Sequence, residues 1–177
     1  INPDQYGYTT LIPGFGFLPD LFPKPFVANW KLNRREAVSE QVPGVRIPMN
    51  GFMGSVGVMP GEPEVDKWLA RESQLAKAGG VALPPEPTGA RPPEVCGKNG
   101  SNKDKCLRTI PPRENGGNMD VKQMVEGTTL LLPCFVDGCG FFIGDVHYAQ
   151  GDGEVAGTAI EMGEIVTVET SIRKGMA

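Results

Sequence analysis

A chain of 177 residues with 40% apolar and 21% charged side chains can bury a domain-sized core, so a disordered polymer is excluded. A net charge of −4 argues against nucleic acid and anionic membranes as partners, and no apolar run approaches bilayer length. The 24 glycines and 17 prolines are dispersed among apolar stretches, which reads as turns between short strands.

Residues 1–30 alternate aromatic side chains with Pro and Gly, so irregular chain with short strands is expected. Its phenylalanines, Phe15, Phe17, Phe22 and Phe26, are expected to pack over a core or wall a pocket. "VANWKLNRREAV" and "QVPGVRIP" then read as two strands about a charged turn at 33–36, and "MNGFMGSVGVM" as a strand of small residues. From Glu62 to Ala78 the period changes. Val65, Trp68, Leu69, Leu75 and Ala76 recur at helical spacing, acids open the segment, and Gly79-Gly80 close it, which predicts one helix.

Residues 83–113 combine a proline-rich connection with the polar loop "CGKNGSNKDKC", and little regular structure is expected there. The last third reads as β. "GTTLLLPCFV", an Asp137-Gly138 turn and "GFFIGDVHYAQ" form an expected hairpin. "GEVAGTAIEM" and "EIVTVETSIRK" follow as strands, the latter with Val166, Val168 and Ile172 on one face. The expected fold class is mainly β, an antiparallel sandwich-like core with one helix and long Pro/Gly-rich loops, in a single domain over 1–177. The four cysteines (96, 106, 134 and 139) are expected to be reduced thiols in a cytoplasmic protein, although a 96–106 bridge could staple its loop.

Two clusters carry polar residues that strand packing does not require: "PPRENGGNMDVKQ" and "FFIGDVHYAQGDGEV". The second holds the only histidine, His147. In an extended segment Asp145 and His147 project from one face, as a strand must present them to offer a carboxylate and an imidazole to one ion. The Gly151-Asp152-Gly153 turn can return Glu154 toward the same point. A catalytic zinc site needs about three N/O ligands and an open position, and Asp145 and His147 with Asp120 or Glu154 meet that count. The same spacing also suits a solvated hairpin with a packing histidine. A cysteine mechanism, with Cys134 or Cys139 activated by His147, is the rival chemistry.

The stretches "PGFGFLPDLFP", "VPGVRIPMNGFMG", "IPPRENGGNMDVKQ", "LPCFVDG" and "GDVHYAQGDGEVAGTAIEM" resemble the acetamidase/formamidase family, closest to fungal-type formamidases. The resemblance implies a hydrolase of the C–N bond in short linear amides, with a divalent metal such as zinc, in a homo-oligomer. It implies Asp120, Asp145 and His147 as metal ligands, and Glu154 or Glu114 as the proton carrier. Asn115, Asn118 and Gln150 are then the residues that bind the amide or orient ligands. Family members are longer, so the chain is expected to be the central part of a longer protein, completed by segments not in this sequence. The alternative is a non-catalytic β module that keeps the motifs to shape turns and a subunit interface.

Overall fold

The computed structural model describes residues 1–18, 20–79, 90 and 92–176. Among them are eight strands and two helices, and every strand pairing described is antiparallel. The chain divides into two compact units. The first comprises residues 1–52, 122–128 and 146–177, and the second 53–121 and 129–145.

In the first unit β1 (Asn2–Leu11) lies between β2 (Phe26–Leu32) and β8 (Glu161–Ile165). Beyond β2 follow β3 (Glu36–Val38) and β4 (Arg46–Pro48). On the other side of β8 comes the end of β7 (Phe142–His147), with His147 directly opposite Glu161. Strand β2 buries Ala28, Trp30 and Leu32 and exposes the residues between them, the two-residue period of a half-buried strand. These three pack with Ala37, Tyr148 and Ile160 to form the core of this unit. The approach of β1 to β8 depends on Gly7: a Cβ there would lie 2.6 Å from the Glu161 carbonyl oxygen.

In the second unit β5 (Phe52–Gly57, apart from its first residue) pairs with β6 (Gly116–Asn118) in the register Ser55↔Asn118. The helix α1 (Glu62–Lys77) carries Glu62 and Glu64 in its first turn and Lys77 in its last, as the helix dipole favours. Gly79, at φ 81°, leaves it in the left-handed conformation common after a helix C-terminus. Trp68 is its one buried side chain, edge-on to Phe135 at 5.8 Å, whereas Leu75 is exposed. A short α2 (Pro93–Cys96) precedes the polar loop. Glu72 of α1 takes Arg113 Nε at 2.6 Å and Arg108 Nη2 at 3.1 Å, tying the helix to the segment before β6.

The mainly antiparallel β chain with one substantial helix is as expected from the sequence, and four local expectations are corrected. Cys96–Cys106 and Cys134–Cys139 are disulfides, with Cα separations of 5.5 and 4.7 Å in the range such bonds require. No cysteine is left free. Residues 127–136 are not a strand: they are largely exposed, and Cys134–Cys139 closes a tight loop where a hairpin was expected. The alternating segment after Ile165 is likewise not a strand. It has no pairing partner among the described residues, and Val168 and Ile172 are exposed. Phe15, Phe17, Phe22 and Phe26 are also exposed, because residues 12–25 run through turns and bends and Phe26 faces outward on β2. The proline-rich stretch 83–95 and Gly80 lie largely outside the described residues.

Candidate functional site

His147 sits at the end of β7 and is 1% exposed, edge-on to the buried Phe52 ring at 5.1 Å. The chain on either side of it is fixed. Tyr148 donates its N–H to Ile160 O at 2.9 Å, Asn50 donates to Tyr148 O at 3.1 Å, and the Tyr148 hydroxyl donates to Asn33 O at 2.7 Å. Burial pushes the Tyr148 phenol up to about 12, so it stays a neutral donor.

Polar side chains of the same unit face both ring nitrogens. Nδ1 is 2.9 Å from Gln150 Oε1. An amide oxygen only accepts, so Nδ1 carries the proton, and in the neutral ring Nε2 holds the lone pair. Nε2 faces Glu161 Oε2 at 3.3 Å and Glu154 Oε1 at 3.8 Å. The 151–154 turn brings Glu154 back: Gly153 (φ 76°) and Glu154 itself (φ 45°) are left-handed. Asp152 at its tip is exposed and pairs with Lys122 Nζ at 2.7 Å.

Glu161 was not among the expected site residues. It lies fourteen positions from His147 in the sequence, and only the β7–β8 register brings the two together. Its one sequence signal is a carboxylate set between the apolar Ile160 and Met162 in a strand-like run.

In the second unit the other acids form a cluster of their own. A Cβ on Gly54 would lie 2.6 Å from Asp145 Oδ2 and 2.7 Å from Asp120 Oδ1, so only glycine lets both carboxylates approach the β5 backbone. Gly54 O accepts the N–H groups of Met119 and Asp120. The Ser55 hydroxyl is 3.0 Å from Asn118 Oδ1 and 3.3 Å from Asp145 Oδ2. Asp120 (φ 49°) and Asp145 (φ 57°) are both left-handed, a conformation non-glycine residues seldom adopt. Asp145 is exposed on β7.

Two expected residues are committed elsewhere. Glu114 is half exposed in a two-pronged ion pair with Arg71, at 2.6 and 3.0 Å, and the Arg71 guanidinium pulls its carboxyl down to about 2. A carboxyl so acidic is a poor proton donor near neutrality, which corrects its reading as a proton carrier. Asn115 is buried and donates Nδ2–H to Val58 O at 2.7 Å, while its carbonyl accepts Val58 N–H at 3.0 Å. The two bonds, one from its side chain and one to its backbone carbonyl, brace the chain just after β5. Nor is a cysteine nucleophile available in the disulfide-bonded form.

The family model for the acetamidase/formamidase family matches residues 1–177. The chain belongs to the acetamidase/formamidase family. It is 36% identical over 185 residues to an acetamidase from Mycolicibacterium smegmatis and 33% identical over 186 residues to a formamidase from Methylophilus methylotrophus. These alignments take in 97% and 98% of this chain but 45% of each relative, so the chain spans about half the length of the proteins it matches. Among solved structures, the gamma lactamase from Delftia acidovorans superposes with a TM-score of 0.75 at 33% identity, over 89% of this chain and 41% of that one. An acetamidase from Bacillus halodurans, at 24% identity and a TM-score of 0.62, shares the fold over 91% of this chain and 40% of its own. Among the described residues no helix is long and apolar enough to cross a membrane.

Proposed function

We propose that the protein hydrolyses the C–N bond of short linear amides, formamide to formate and ammonia being the reference reaction, with a divalent metal, zinc by preference. The observation that carries this reading is the His147 ring. In a chain of this family, its Nδ1 is committed to Gln150 and its Nε2 is turned toward two carboxylates.

The donor chemistry fits a divalent ion. Imidazole nitrogen and carboxylate oxygen are the ligands zinc takes in hydrolytic sites, and a ring hydrogen-bonded through its other nitrogen is the usual form of a metal-binding histidine. The protein donor we assign in the first unit is His147. When bound, such an ion polarises an amide carbonyl and brings the pKa of water toward neutrality. Gln150 Oε1, beside Nδ1, keeps the imidazole in the tautomer that protonates Nδ1. Glu154 takes the proton of the attacking water and passes it to the departing nitrogen, so an amide and water give a carboxylate and ammonium.

The proposed setting is a homo-oligomer completed by chain beyond these residues. The cytoplasm expected from the sequence is weighed against by the two disulfides, which persist in oxidising compartments. The test is ammonia release from formamide and acetamide by the purified protein, before and after chelation and zinc restoration. The reading expects activity that follows zinc and is lost in His147→Ala. The non-catalytic alternative expects neither zinc nor ammonia.

A further inference from the structure

We infer that Cys134–Cys139 is a redox-sensitive clasp: a dithiol reductant opens it and releases the start of α1 from the loop that the bridge closes. The inference does not depend on the metal-dependent reading above. The two disulfides differ in access. Cys134 is exposed, whereas Cys96 is only 7% exposed, and an accessible sulfur is the one a thiolate can attack. They differ in span as well. Cys134 and Cys139 are 5 residues apart against 10 for Cys96 and Cys106, and the shorter loop gains less from closure. In the exchange a thiolate of the reductant bonds to Cys134 Sγ, and Cys139 Sγ leaves and takes up a proton. The reductant's second thiol then displaces Cys134, which also becomes a thiol, and the reductant ends as a disulfide.

What the clasp holds follows from the bonds of its loop, all within the second unit. Gly138 (φ 78°), Cys139 (φ 56°) and Gly140 (φ 61°) are left-handed in succession, and Cys139 is the one whose side chain strains that conformation. Met59 N–H donates to Cys139 O at 2.9 Å and to Gly140 O at 3.1 Å. A Cβ on Gly140 would lie 2.5 Å from Met59 Cβ, so the two segments are in close contact. Phe135, inside the closed loop, meets Trp68 of α1 edge-on at 5.8 Å. Its carbonyl oxygen would lie 3.5 Å from a Cβ on Gly61, the residue at the helix N-cap. The connection from β5 to α1 is therefore held by the clasped loop at Met59 and Gly61, and by Asn115 at Val58. Freed of the cross-link, Cys139 can leave the left-handed region and carry its carbonyl away from Met59, while Val58 stays bonded to Asn115. Residues held in such conformations recur where a fold is built to switch.

The experiment titrates the purified protein with dithiothreitol, traps thiols with iodoacetamide for peptide mass spectrometry, and follows single amides by hydrogen exchange. The inference expects Cys134 and Cys139 to be alkylated at dithiothreitol concentrations at least about tenfold below those that open Cys96–Cys106. At that point the Met59 amide exchanges at least about tenfold faster, the Val58 amide changes by less than about twofold, and reoxidation restores Met59. Opening of Cys96–Cys106 first, or of both bridges together, overturns the inference. So does a Met59 amide that keeps its protection after Cys134–Cys139 is reduced, or one that loses it together with Val58. The double variant Cys134→Ser, Cys139→Ser holds the loop open without reductant and should show the same fast Met59 amide; a protected one overturns the inference. If that variant does not fold, the double variant Cys96→Ser, Cys106→Ser, which keeps only the clasp, is titrated instead, and the same outcomes at Met59 and Val58 decide.

Discussion

Gln150 Oε1 lies 2.9 Å from His147 Nδ1, and this contact fixes which nitrogen of a buried imidazole carries the proton. Replacing Gln150 with Leu removes the acceptor and leaves the tautomer undetermined. Zinc affinity is then expected to fall by about 10- to 100-fold, as it does when a metal-bound histidine loses its outer-shell partner. In 15N-histidine-labelled protein, with the His147 signals identified by their absence in His147→Ala, wild type shows a protonated Nδ1 before zinc is added. Gln150→Leu loses that pattern.

Glu114 is expected to contribute little to turnover. Its pair with Arg71 is half exposed, so its stability contribution is at most about 1 kcal/mol. Its carboxyl pKa is depressed, so the contribution is complete above the ordinary carboxylate pKa and is lost only as pH falls toward about 2. Glu114→Gln should therefore leave the neutral-pH rate within about threefold, against a loss of at least about 100-fold in Glu154→Gln. Parallel pH–rate profiles of the two variants check this.

Glu164 gives a pH dependence of the opposite sign. Both its carboxylate oxygens are buried without a hydrogen-bond partner among the described residues, and burial pushes the carboxyl up to about 7. The folded state then binds a proton more tightly than the unfolded chain. This contribution is present below the ordinary carboxylate pKa and lost as pH rises through about 7. Glu164→Gln should match wild type near pH 4 and melt a few degrees higher above pH 7, after allowance for solvent screening at the strand. Equal melting temperatures from pH 4 to 9 would contradict the assignment.

The disulfides predict that thiols become alkylatable only after reduction. Cys96–Cys106, ten residues apart, is worth roughly 2–3 kcal/mol by chain entropy, so reduction should lower Tm while iodoacetamide leaves the unreduced protein active. Mass spectrometry of alkylated protein with and without reductant reads this directly. Inactivation of the unreduced protein by iodoacetamide would return the cysteine mechanism to consideration.

What could be read in advance follows from where the information sits. The β2 strand was legible because Ala28, Trp30 and Leu32 repeat at the period of the pleat, and α1 because its acids, Lys77 and Gly79 mark both ends. Residues 127–136 and 166–176 misled because apolar content and alternation describe what a segment can pair with, and neither has a strand partner in the described chain. At the site, the Gly-Asp-Gly turn announced the return of Glu154. The left-handed φ of Asp145 was not announced by the sequence. Glu161 stayed hidden because a ladder register, unlike a motif, is settled by the whole sheet. Glu114 and Asn115 carried the right chemistry in the motif, but Arg71 and the Val58 backbone, distant in sequence, had claimed them.

The most direct measurement of the central claim is ammonia release from formamide by protein stripped of metal and titrated with zinc, alongside His147→Ala. The account predicts activity that rises with zinc to one equivalent in wild type and stays at background in the variant. Full activity in the stripped protein, or in His147→Ala, would contradict it.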